Sequence, residues 1–134
     1  MTTNYCDTFI TVAPDCPIAV AEEPPSGVRP TVASLQYELL RDRPYELTSD
    51  DLLFEVHMIR SGQDASERSA ERQRFFGRDV PCLRASPLPK RYGWGIHHDA
   101  EGFVALVGLG SAEYAALAAR SDLTQKAAMR SSRK

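Results

Sequence analysis

No apolar run among these 134 residues approaches the length that spans a bilayer, so a transmembrane helix is not expected. Residues 1–7, from Met1 to Asp7, lack the basic start and long apolar core of a secretory signal. The expectation is a cytoplasmic protein. Cysteine is scarce: Cys6, Cys16 and Cys82 are odd in number, widely spaced and without a Cys-x-x-Cys pair. That argues against a zinc ribbon or dithiol redox site, and free thiols in a reducing compartment are the simplest reading. There is no glycine-rich phosphate loop, no dinucleotide fingerprint and no Gly-x-Ser-x-Gly elbow, so no cofactor is expected and a hydrolase built on Ser86 has little support. With one Trp and a net charge of −2, the chain lacks the basic, aromatic face that nucleic acid needs.

What is present suits one domain with its own core: 43% hydrophobic and 25% charged residues. The charge is uneven. Residues 1–64 hold 4 basic and 11 acidic residues, and residues 65–134 hold 12 and 7. Either the two halves pair within the domain, or the basic half draws an anionic ligand.

The pattern predicts an α+β fold with a small antiparallel sheet. Residues 7–13 are β-branched and aromatic and read as a strand that Pro14 closes. Residues 14–30 carry six Pro or Gly and read as a long loop that wraps or covers something. A helix over 31–41 is capped by Thr31. A second over 49–60 is capped by Thr48 with Asp51 three residues on, and Gly62 ends it. Its apolar stripe is Leu52, Leu53, Val56 and Ile59. A third over 64–76 starts at Asp64 with Glu67 in the box position and is anchored by Phe75 and Phe76. Its acidic start and the lone Arg60 make 49–60 a poor recognition helix. Pro81, Pro87 and Pro89 keep residues 80–90 extended or turning. Strands 92–98 and 103–109 form a hairpin with Gly102 at a positive φ, and Ser111 caps a helix over 112–120. The helices are expected on one face of the sheet. The domain covers 1–120, and the basic tail, 121–134, is expected to fray.

Several blocks are distinctive: Leu35 to Leu40 (LQYELL), Thr48 to Val56 (TSDDLLFEV), Cys82 to Leu88 (CLRASPL), Lys90 to Asp99 (KRYGWGIHHD) and Ala128 to Ser131 (AMRS). They resemble a family of uncharacterised bacterial proteins of about this length, over nearly the whole chain. The resemblance implies no activity and carries over no catalytic residue.

Chemistry concentrates in residues 81–99. Arg84, Ser86, Lys90 and Arg91 suit a phosphate or carboxylate, and Trp94 or Tyr92 would stack on a ring beside it. His97 or His98 would hydrogen-bond the ligand, and Asp99 completes an acid–base set. Alternatively Arg84 and Arg91 bridge to Asp50, Asp51 or Glu55. Strand alternation puts Gly93 and Gly95 on one face with Arg91, His97 and Asp99, so either a helix packs tightly there or a ligand lies over the glycines. His97 and His98 point to opposite faces of a regular strand. A metal site would need His57 with one of them and Asp99 or Glu55. Cys82 would pair with a His as a nucleophile, with Arg84 favouring its thiolate, or is a buried inert thiol. Three functions follow in order: a domain binding an anionic small molecule near 82–99, a protein–protein interaction module with a basic aromatic hot spot, and a metal-dependent enzyme.

Overall fold

The computed structural model describes residues 2–62 and 64–131. Two helices begin at the expected caps. Thr31 accepts the Ser34 N–H and Ser34 accepts the Thr31 N–H at the start of α1 (Val32–Leu40). Thr48 and Asp51 exchange the same pair of bonds at the start of α2 (Ser49–Ser61), which Gly62 ends at φ 67°. Reciprocal caps satisfy N–H groups that no helical carbonyl can reach. The region 64–76 is divided: Asp64 accepts from Ser66 N–H and starts a 3₁₀ turn (Ala65–Glu67), and α3 (Arg68–Phe76) follows. The expected box with Glu67 does not form, because Asp64 is already spent two residues on.

The sheet is built on a hairpin. Strand β3 (Trp94–His98) pairs antiparallel with β4 (Phe103–Gly108), Ile96 opposite Leu106. Asp99 Oδ1 accepts the Glu101 and Phe103 N–H groups, and Gly102 takes φ 90° in the turn. Strand β1 (Thr8–Thr11) pairs antiparallel with the other edge of β3, and β2 (Leu47–Thr48) extends β4. The stretch expected to fray instead forms β5 (Thr124–Ala127), parallel to β1, giving the order β2-β4-β3-β1-β5. Leu123 and Ala128 flank β5 and are buried, which ties this stretch to the core.

Alternation divides the core. Ile10, Ile96 and Val104 face Leu40 of α1, Leu52 of α2 and Leu83. Phe9 and Val107 face the opposite way, against Tyr114 and Leu117 of α5 (Ala112–Ala118). The helices therefore lie on both faces of the sheet, not on one. Phe75 of α3 packs on Phe54 and Met58 of α2. This second buried side of α2 displaces the expected stripe, and Ile59 is left 49% exposed.

Residues 81–91 are not extended throughout. A 3₁₀ turn (Leu83–Ala85) leads to α4 (Pro87–Arg91), in which Ser86 caps the Leu88 N–H and proline occupies the first turn. Proline is tolerated there because those N–H groups have no helical partner. Part of the 14–30 loop straps the hairpin: Ala21 and Glu22 donate to the carbonyls of Leu109 and Tyr92. No helix among the described residues is long and apolar enough to cross a membrane.

Candidate functional site

The residues of 81–99 do not converge. Arg84 Nε donates to the Ala127 carbonyl at 2.8 Å, and the Arg84 carbonyl accepts the Met129 N–H. Arg84 thus clamps the outer edge of β5. Lys90 and Arg91 end α4 with no carboxylate within ion-pair distance among the described residues. The Trp94 indole N–H is spent on the Glu22 carbonyl, and its ring tilts against Tyr37. Asp99 is occupied by the hairpin turn. The acidic residues proposed as partners for Arg84 and Arg91 bind elsewhere: Asp50 holds Thr3, Asp51 pairs with Arg72, and Glu55 pairs with Arg68.

The two adjacent histidines diverge. His97 Nδ1 lies 2.8 Å from the Tyr45 hydroxyl, on the α5 side. Burial, followed by the nearby Arg120 charge, holds its pKa below the ordinary value. His98 is fully buried on the other side, edge-on to Tyr5, with Nδ1 3.3 Å from the Ile96 carbonyl. Its Nε2 has no hydrogen-bond partner among the described residues. Burial pushes its pKa down to about 4, so it is neutral at neutral pH. Neither shares a site with His57, and no group of three metal-ligating side chains is found among the described residues. The space over Gly95 is filled: a Cβ there would come within 2.8 Å of the Phe9 and Tyr114 rings. The tightly packed helix is correct at Gly95, and no room remains for a ligand. Gly93, at φ 79°, precedes the strand and meets Ala21 and Ile18 of the strap.

One concavity does collect chemistry. A cleft of about 690 Å³ opens between α1, α2, the end of α3 and residues 78–87. Its walls are mostly apolar, with Val32, Leu53, Val56, Phe75 and Leu83. Arg60 and Arg78 stand at its exposed side, Arg78 over the Phe75 ring. Besides the exposed Ser61 and Asp79, four polar side chains line it: Gln36, His57, Cys82 and Ser86. Such a cavity, apolar with a few fixed polar groups, is the usual form of a small-molecule site.

Three of those four are oriented by a neighbour. The Ser86 hydroxyl accepts the Leu88 N–H and donates to Gln36 Oε1 at 2.5 Å. The Gln36 carboxamide is thereby turned so that its NH₂ is left over. Gln36 is largely buried, and its NH₂, which has no partner among the described residues, remains accessible from the cleft. His57 Nε2 lies 2.6 Å from Glu71 Oε2, and its ring stacks on Phe75. Glu71 is held below the usual carboxylate range by the bond from His57 and then by Arg74. The Cys82 sulfur accepts a hydrogen bond from the Tyr5 hydroxyl at 3.2 Å, which holds that hydroxyl protonated.

Of the anticipated residues, Ser86, Cys82 and His57 reach this cleft, and Arg84, Lys90, Arg91, Trp94, His97, His98 and Asp99 do not line it. Gln36, Glu71 and Tyr5 were not anticipated. Gln36 carried a signal, since it lies four residues after Val32, a polar residue within an apolar helix pattern. Glu71 and Tyr5 carried none, because their partners are distant in sequence.

The model of a family of unknown function, DUF6157, matches residues 1–134. No curated protein matches the chain, and no solved structure does.

Proposed function

The chain belongs to this family of unknown function, and with no activity to inherit from it we propose that the cleft between α1, α2, α3 and residues 78–87 binds a small organic anion with an apolar body and a carbonyl-type oxygen. The observation that carries this reading is Gln36. Its carboxamide oxygen is committed to Ser86 and its NH₂ has no partner among the described residues, so the cleft wall offers a free N–H donor to a ligand acceptor. The apolar walls suit a hydrocarbon body, and Arg60 and Arg78, against the one carboxylate Asp79, favour negative charge at the entrance. The reading keeps an anionic ligand and moves it away from Arg84, Lys90 and Arg91.

The test is a thermal-shift and calorimetric series with butyrate, octanoate and phenylacetate. Ligand at a hundred times Kd stabilises the native state by about 2.7 kcal/mol, a rise of several degrees in Tm. Gln36→Glu keeps an acceptor for Ser86 and replaces the donor by an acceptor, so the shift should disappear at mildly alkaline pH. Arg91→Ala should keep it. A shift that survives Gln36→Glu, or that Arg91→Ala removes, refutes this cleft as the site.

A further inference from the structure

We infer that Cys82 is the nucleophile of this cleft and that its substrates are small carboxylic esters or thioesters, an inference that rests on the cleft being the binding site. Of the three cysteines, Cys82 lines the cleft; Cys6 is exposed, and Cys16 packs against the sheet core. A lone thiol would not by itself mark a site. Here three elements deliver three complementary groups to one cavity, and each is already oriented from behind. Cys82 precedes the Leu83–Ala85 turn and is held by Tyr5. His57 stands on α2 and is held by Glu71. Gln36 stands on α1 and is held by Ser86.

Each matches one requirement of acyl transfer. The Tyr5 hydroxyl fixes the sulfur, and a hydrogen bond to it strengthens as negative charge develops. Gln36 offers the cleft an N–H donor with no protein partner among the described residues, of the kind that stabilises a carbonyl oxygen as it becomes an oxyanion. His57 has Nε2 committed to Glu71, which leaves Nδ1 to exchange protons with the cleft. An ionised carboxylate behind an imidazole stabilises the imidazolium that forms when it takes a proton. That feature favours acyl transfer over simple thiol addition to an aldehyde. Only acyl transfer needs the imidazole to hold a proton and return it to a leaving group.

The chemistry balances as a hydrolysis. Cys82 Sγ adds to the acyl carbon, and its proton passes to His57 Nδ1. Cys82 and His57 do not bond each other in this structure, so a water in the cleft would relay that proton. The carbon–oxygen or carbon–sulfur bond to the leaving group breaks, and the leaving group takes the proton from His57. Water then attacks the acyl–Cys82 thioester, giving up a proton to His57. Cys82 departs and is reprotonated, releasing the carboxylic acid.

The experiment treats the full chain with p-nitrophenyl butyrate and follows both p-nitrophenol release and adducts by peptide mass spectrometry. A butyryl adduct of the wild type should map to Cys82. Cys82→Ser, in which Tyr5 can still donate to an oxygen, should lower release by at least about 100-fold. His57→Gln should slow turnover and leave the adduct standing. Adducts confined to Cys6 or Cys16, or release unchanged in Cys82→Ser, overturn the inference. Butyrate binding separates the two proposals. If Cys82→Ser and the wild type bind butyrate alike while no Cys82 adduct forms, the nucleophile is wrong and the cleft stands. If neither binds butyrate, both are wrong.

Discussion

His98 should make this protein lose stability in mildly acidic solution, before its carboxylates begin to titrate. The ring is fully buried in the β3 face that packs under α1 and α2. It makes one long bond to the Ile96 carbonyl, and Nε2 has none among the described residues. Burial lowers its pKa from 6.5 to about 4. Between those values the unfolded chain binds a proton that the native state refuses, so stability must fall as pH falls. Above the unfolded value there is no effect. The full shift corresponds to roughly 3 kcal/mol, of which about 2 kcal/mol is lost on going from about pH 7 to about pH 5. His97, also lowered but only partly buried, adds a smaller loss of the same sign. Asp51, Glu71 and Asp122 are held below their ordinary values, so their contributions fall away only in more acidic solution. Urea unfolding of the wild type and of His98→Phe across this range is the assay. The wild-type midpoint should fall steadily, and the variant, which keeps an aromatic ring without a titrating nitrogen, should keep only the weaker slope of His97. An equal slope in both proteins refutes the assignment.

Gly95→Ala places a methyl within 2.8 Å of the rings of Phe9 and Tyr114, both buried, so a loss of about 1–3 kcal/mol is expected in the same urea assay. Arg84→Met removes the bond to the Ala127 carbonyl; it should cost about 1 kcal/mol and lower amide-exchange protection selectively in β5, leaving carboxylate binding in the cleft intact.

The parts of this fold legible in the sequence are those settled within a few residues. Thr31, Thr48, Asp51 and Ser111 cap their helices through side chains that reach three residues along the chain. Gly102 holds the hairpin turn because its φ of 90° is unfavourable for other residues. Strand β5 was not legible: Thr124, Gln125 and Lys126 show no apolar alternation, and only the open edge of β1 makes them a strand. The same holds for the site. The basic residues of 84–91 looked like a cluster on paper, yet a 3₁₀ turn and α4 send Arg84 to β5 and Lys90 and Arg91 to the end of a helix. The cleft joins residues 78–87 to α1, α2 and α3, a convergence that is a property of packing and leaves no local pattern.

The placement of β1 governs the order in which the molecule can assemble. Its apolar pair, Phe9 and Ile10, is made before α1 to α4, yet both of its neighbours, β3 and β5, follow those helices. A growing chain must therefore carry an unpaired, sheet-prone segment until four helices and β3 have been made. Such long-range closure is slow, and it exposes strand edges to other chains meanwhile. The strand that completes the sheet follows the other four in the chain, so β5 acts as the latch of folding: until it seats, one edge of β1 stays open to any competing strand.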